Sequence, residues 1–167
     1  MKISLGFESY PYSMQSSRTR AAISARPARG GFRGYGAGKT TQDVANELEV
    51  QYKIVETFVD MEEDFIIEIM ETSLAEDVEK IVASLGAISE HGISTADTDR
   101  IEQRFREALT QRRFDGVIPG VPTLSAMRGV SHLLPQPYSR RNPSRPSFVN
   151  TGLYRSAFRA WVEDLEM

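Results

Sequence analysis

Cysteine is absent from this chain of 167 residues, and histidine occurs only twice. The absence of cysteine excludes disulfides, cysteine–metal sites and thiol chemistry. His91 and His132 stand 41 positions apart, and neither has other potential metal ligands at a recognisable spacing. The sequence therefore predicts no metal site, no cofactor and no histidine-based catalytic site.

Long apolar runs are also missing. No run approaches the roughly 18 residues needed to span a bilayer. The first residues, KISLGFE at 2–8, alternate polar with apolar side chains and do not resemble the core of a signal peptide. We therefore expect a soluble protein made and used in the cytoplasm, long enough to bury one real core.

Charge is distributed unevenly along the chain, although the net charge is only −3. Residues 1–41 carry +6, residues 42–107 carry −13 and residues 108–167 carry +4. Two basic segments rich in proline and glycine thus flank an acidic middle. Either the charges face solvent and balance within one chain, or each basic segment meets an acidic surface of a neighbouring copy. The sequence leaves both possibilities open.

Apolar periodicity predicts a strand, an arm and two helices in the first half. Period two over residues 2–8 predicts a half-buried strand, whereas residues 9–38 have no period and are expected to form an extended basic arm. A capping box at 40–43 begins a helix that continues to position 59. A second capping signal at 60–63 begins a long amphipathic helix over 65–85, stopped by Gly86. Its acids are expected on the solvent face: Glu62, Glu63, Asp64, Glu68 and Glu71.

The second half predicts a third helix, irregular structure and a closing strand. Ser94 caps the helix, whose buried face carries Ile101, Phe105 and Leu109. A short helix is expected within 123–129. Four prolines and three arginines exclude a helix from 135–147. After a helical turn, alternation at 158–162 predicts the last strand.

These elements predict an α+β fold in which long amphipathic helices pack on a small sheet formed by the N- and C-terminal strands. We expect two regions, a strand and extended basic arm at 1–39 and a structural domain at 40–167. The Pro/Arg-rich loop at 135–147 is too long and too charged for a simple connector, and we expect it to lie against another subunit.

A glycine-rich motif, GYGAGKTT at 34–41, suggests nucleotide binding at first sight. A phosphate-binding loop requires G-x-x-x-x-G-K-[ST] after a buried strand. Arg33 occupies the position of the first glycine, and the preceding RPARGGFR is not a buried strand. An enzyme that uses Gly38, Lys39 and Thr40 is therefore an alternative that we do not favour. DNA binding by arginines interleaved with tyrosines is another alternative.

The last fifty residues contain several short motifs in a fixed order: GVPT at 120–123, RGVSH at 128–132, PY at 137–138, RPSF at 145–148 and TGLYRSAFRAWV at 151–162. Their order resembles small virion proteins of tailed bacteriophages, and VANELEVQYKIVETF at 44–58 is similar to a helix of the same group. NTGLYRS at 150–156 more distantly resembles the DTG-x-L-x-x-S element of tail-completion proteins, with Asn150 at the position of the aspartate. The resemblance covers roughly residues 40–162.

The resemblance implies a structural virion protein at the neck or the tail end, such as a head–tail connector or tail terminator, and not an enzyme. Its partners would be other copies in a ring and neighbouring connector, neck or tail proteins, with passing contact to packaged DNA and no membrane. A tail-tip or baseplate position is the nearest alternative. The residues expected at the subunit interface are Arg140, Arg141, Arg145, Phe148, Arg155 and Trp161.

The local chemistry of the C-terminal motifs supports separate expectations. Asn150 or Thr151 is expected to accept hydrogen bonds from backbone N–H groups two or three residues later. Gly152 is expected to permit a close backbone approach, and Trp161 is expected to anchor the domain together with Phe158. The three arginines of the loop are expected to be exposed, so that their removal would leave the stability of the monomer nearly unchanged.

Overall fold

A computed structural model describes residues 2–10, 39–83, 94–131 and 133–163. The predicted arm lies almost entirely outside this part, as do Gly86, His91 and His132. The elements are β1 (Lys2–Phe7), α1 (Thr41–Tyr52), α2 (Ile54–Met61), α3 (Glu63–Ala83), α4 (Thr95–Thr110), α5 (Leu124–Met127), α6 (Leu153–Ala157) and β2 (Phe158–Glu163). Helices packed with a two-stranded sheet confirm the predicted α+β class.

The sheet joins the two ends of the domain. β1 and β2 pair antiparallel, with Lys2 opposite Glu163 and Phe7 opposite Phe158. One face of β1 packs on the core through Ile3, Leu5 and Phe7, as the period-two pattern predicts. The first strand therefore belongs to the same core as the helices that follow.

An aromatic cluster forms the centre of the core. Phe105 of α4 stacks on Phe158 of β2 with ring centroids 3.9 Å apart, and Phe58 of α2 meets both rings edge-on. Burying such side chains contributes about 1.5–3 kcal/mol each. The largest fully buried apolar side chains are Ile54, Phe58, Ile69, Ile101, Phe105, Leu109 and Phe158.

The prediction of a single helix from the capping box at 40–43 to position 59 is wrong, because the helix is interrupted at Lys53. This residue adopts a left-handed conformation, with φ of 50°. The carboxylate of Glu49 accepts hydrogen bonds from the backbone N–H groups of Val55 and Glu56, at 2.9 and 3.1 Å, at the start of α2. These contacts satisfy donors that would otherwise be unpaired at a helix N-terminus.

The long predicted helix exists as α3, but only its first part joins the core. Within the described residues, α3 contributes Phe65, Ile69 and Met70 to the core and its margin, and nothing after Met70. At 1.5 Å per residue, the remaining 13 residues extend about 20 Å. α3 therefore presents a long surface that this core does not cover.

The third predicted helix is confirmed as α4. Ser94 is its N-cap, and its side chain accepts a hydrogen bond from the N–H of Asp97. Ile101, Phe105 and Leu109 are buried on one face. The short helix expected within 123–129 is confirmed as α5.

The closing strand is confirmed, with corrections in the turn before it. The N–H of Leu153 donates to Thr151 Oγ1 at 3.3 Å, as expected for Thr151, whereas no hydrogen-bond partner is found for the buried Asn150 Oδ1 in the described chain. Gly152 has φ of +81°, and a Cβ there would meet nothing within 4 Å. Its glycine serves the left-handed backbone and not a close approach.

Candidate interface surfaces

The Pro/Arg-rich loop at 135–147 is irregular, as predicted, yet many contacts hold it to its own chain. The side-chain amide of Asn142 donates to the carbonyls of Gln136 and Pro137 at 2.9 and 3.1 Å. Ser147 Oγ accepts a hydrogen bond from the N–H of Thr123 at 3.0 Å. These bonds fix the shape of the loop against the residues around α5.

Gly129 permits the closest approach beneath this loop. A Cβ at this position would lie 2.2 Å from the carbonyl oxygen of Pro143, and φ is +62°. No other residue type fits both conditions without a shift of the backbone. The sequence therefore requires glycine where the loop returns over the turn that follows α5.

Arg145 is an internal contact of this loop, so the expectation that its guanidinium is exposed is wrong, while its place at a subunit interface stays a prediction. Its Nε donates to the carbonyl of Val130 at 2.9 Å, and one terminal nitrogen donates to the carbonyls of Pro146 and Val149. Burial lowers the pKa of Arg145. An arginine nevertheless stays protonated in a protein, and the carbonyl dipoles stabilise its charge. Sequence spacing gave no sign of these carbonyl partners.

Arg140 and Arg141 are exposed on the outer side of the loop, as expected. In the described part of the chain, neither guanidinium has an ion-pair partner. Arg140 lines a groove of about 620 Å³, which we call the loop groove, formed by Met127, Arg128, Val130, Tyr138, Ser139, Arg140 and Asn142. Residues 124–145 carry four arginines and no acid, so the groove is basic and partly apolar.

The other expected interface residues lie elsewhere. Phe148 packs edge-on against Tyr52 at 5.1 Å, at the margin of the core. Arg155 donates to Thr110 Oγ1 at 2.9 Å, at the end of α4. Trp161 is exposed and covers Gly6 of β1, where any Cβ would lie 2.6 Å from the indole ring. The expectation that Trp161 forms one apolar anchor together with Phe158 is therefore wrong. Successive residues of a strand face opposite sides, and these two residues stand three positions apart in β2.

α3 carries an exposed apolar surface that we call the α3 stripe, consisting of Leu74, Val78 and Val82. These side chains are 60%, 53% and 71% exposed. Four-residue spacing places them on one helix face, next to the face of the buried Ser73 and Asp77. The sequence pattern predicted apolar side chains on one face here but did not show that the core leaves them uncovered.

The α3 stripe lies in a strongly acidic helix. Residues 63–83 carry seven acids and one lysine. Glu71 and Glu79 are exposed and stand three residues before Leu74 and Val82, which places each on nearly the same face as the stripe. The stripe therefore combines apolar side chains with negative charge, whereas the loop groove combines apolar side chains with positive charge.

Two buried carboxylates that bind arginines, Glu62 and Glu102, were missed by sequence reasoning. Glu62 was expected on the solvent face, and this is wrong because its side chain is only 3% exposed. Arg104 Nε donates to it at 2.8 Å, and Arg113 also forms an ion pair with it. The hydrogen bond and charge of Glu62 raise the pKa of Arg104. By contrast Glu63, Asp64, Glu68 and Glu71 are exposed, as expected.

Glu102 holds β2 to α4 in a similar way. It accepts a hydrogen bond from the N–H of Ala160 at 3.2 Å and forms ion pairs with Arg106 and Arg159. Burial lowers the pKa of Arg159, but the charges of Glu102 and Glu8 outweigh that effect and raise it. Every acid of these two clusters has an arginine partner, and the arrangement provides no free acid–base pair.

In the glycine-rich motif, the described residues 39–41 have structural roles at the start of α1. Lys39 forms an ion pair with Glu47, and Thr40 and Asp43 form a capping box at the start of α1. The Thr40 backbone N–H, at 2.8 Å, holds the pKa of Asp43 below its ordinary value. Positions 34–38 lie outside the described residues.

Across the described ranges, no group of three or more histidine and acidic side chains is arranged to hold a metal ion. No helix found there is both long and apolar enough to cross a membrane. Comparisons of the chain with family models, with curated proteins and with solved structures gave no match.

Proposed function

We propose that this chain is a structural, non-catalytic virion protein of a tailed bacteriophage, which joins head to tail or terminates the tail as a ring of identical copies. The order of motifs in residues 120–162 suggests the phage assignment. The observation that supports assembly is the pair of exposed surfaces of opposite charge, the α3 stripe and the loop groove, both with apolar side chains. Such surfaces are typical of protein contacts.

The difference between these two surfaces supports a ring rather than a two-fold dimer. An interface that joins unlike surfaces is heterologous, and repeated copies then close into a ring or grow as a filament. A virion neck or tail end needs closed axial symmetry around the DNA channel. The remaining partners in this proposal are the adjacent connector, neck or tail proteins, and the protein acts in the virion after assembly in the host cytoplasm.

Deletion of the gene in the phage that encodes this chain tests the proposal. We expect electron microscopy of the lysate to show filled heads and separate tails, with joined particles restored when the full chain is supplied from a plasmid. Joined particles that lack only tail-tip structure would favour a tail-tip or baseplate position. Normal infectious particles would refute a structural role in the virion.

A further inference from the structure

We propose that the α3 stripe of one copy docks in the loop groove of the next copy. This inference rests on the proposed ring and names the contact that closes it. Leu74, Val78 and Val82 extend about 12 Å along one helix face. They would cover the exposed Met127 and the adjacent Val130 and Tyr138 of the neighbouring copy.

The charges of the described surface favour the contact between the α3 stripe and the loop groove over contacts between two stripes or two grooves. Glu71 and Glu79 flank the stripe, while Arg128 and Arg140 line the groove. A guanidinium binds a carboxylate through two parallel hydrogen bonds and keeps its charge when partly buried. Two alternative contacts would join the stripes of two copies or the grooves of two copies. In either contact, like charges would meet and oppose association. The same charges therefore favour a head-to-tail contact between copies.

The monomer keeps both surfaces ready for this contact. Asn142, Arg145 and Gly129 fix the backbone of the groove through internal contacts, so its shape exists before any partner arrives. The stripe lies on the regular helix α3, beyond Met70, the last α3 residue at the margin of the core. Binding then orders few additional groups, which lowers the entropic cost of association.

A charge exchange in the full-length chain tests the contact. We would compare the wild type, Glu71→Arg/Glu79→Arg, Arg128→Glu/Arg140→Glu and the variant with all four changes, by light scattering after size-exclusion chromatography at low salt. Each double variant should be monomeric, with its dissociation constant raised about 100-fold or more. The fourfold variant should regain the ring, because its two surfaces are again opposite in charge. Glu76→Arg, on the far face of α3, is the matched control and should assemble normally.

The outcomes separate this inference from the ring itself. Rings that persist in both double variants would overturn the docking of stripe in groove and leave the ring proposal intact. Loss of rings without recovery in the fourfold variant would show that α3 and the groove bind different surfaces, and would overturn it too. The variant Arg128→Glu/Arg140→Glu could also keep its rings but lose retention on duplex DNA. That result would overturn the docking and show that the groove binds nucleic acid instead. A wild type that stays monomeric would refute the ring proposal and this contact together.

Discussion

Replacement of Glu62 by glutamine is the perturbation whose cost follows most directly from the structure. The Glu62 side chain is 3% exposed, while those of its partners Arg104 and Arg113 are 43% and 31% exposed. Removing one member of a fully buried pair costs about 3–5 kcal/mol. Because water still reaches both arginines and the amide keeps an acceptor, we expect Glu62→Gln to lower the free energy of unfolding by about 1–3 kcal/mol.

Urea unfolding followed by circular dichroism measures this cost, and thermal unfolding should show a melting temperature lower by about 2–4 °C for each kcal/mol. Glu68→Gln is the matched control, because Glu68 is an exposed glutamate of α3. We expect it to change stability by less than about 0.5 kcal/mol. If the two variants unfolded at the same urea concentration, the buried ion pairs of Glu62 would not stabilise the fold as described.

Three further perturbations test the loop and the first strand. Arg145→Ala should lower the free energy of unfolding of the monomer by about 1–3 kcal/mol in urea unfolding, because partly buried carbonyls lose their charged donor. Gly129→Ala should lower the free energy of unfolding more than Gly120→Ala in the same assay. Both glycines have positive φ, but only Gly129 lies against backbone atoms. Tyr10→Phe should raise the pKa of Glu8 measured by NMR, because the Tyr10 hydroxyl, followed by Arg159, holds that pKa below its ordinary value.

The same contacts give a control for Arg145→Ala and the pH dependence expected from Glu8. Arg141→Ala, on the exposed side of the loop, should leave stability within about 0.5 kcal/mol, and an equal loss in both arginine variants would contradict the internal role of Arg145. A lowered folded pKa means that Glu8 stabilises the fold above its unfolded pKa and that this contribution disappears as pH falls through the folded value. An unchanged Glu8 titration in Tyr10→Phe would refute that hydrogen bond.

The elements that sequence reasoning predicted correctly are those fixed by local signals. Alternation of polar and apolar residues predicts the strand at 2–7. The cap at Ser94 and the apolar residues at helical spacing, Phe105 among them, predict α4. The closing strand likewise alternates from Phe158 onward. In each case the residues that set the element lie within a few positions of it, so no distant partner is needed to recognise it.

The errors arose where distant partners decide the structure. Glu62 is buried because Arg104 and Arg113 reach it from 42 and 51 positions away, and no local pattern records those contacts. Lys53 is an exception, because its partner is local. Neither glycine nor proline marks the break in the predicted helix, and the carboxylate of Glu49, four residues earlier, stabilises it. Arg145 is similar, since the backbone carbonyls it binds carry no sequence signature.

The α3 stripe shows a different limit of sequence reasoning. Periodicity indicates that Leu74, Val78 and Val82 share a face, but it does not distinguish a face covered by the protein's own core from one left for a partner. In the described part of the chain, these three side chains lie beyond Met70, the last α3 residue at the margin of the core, and they are exposed. The loop groove could not be predicted at all, because the fold of residues 127–142 creates it.

Native mass spectrometry of the purified full-length chain at low salt tests the proposed ring most directly. We expect one closed oligomer of defined copy number, which dissociates as rising salt shortens the Debye length from about 8 Å at 0.15 M toward about 3 Å at 1 M. Monomers alone at a protein concentration of tens of micromolar would contradict the ring. An open ladder of dimers, trimers and longer chains would contradict its closure.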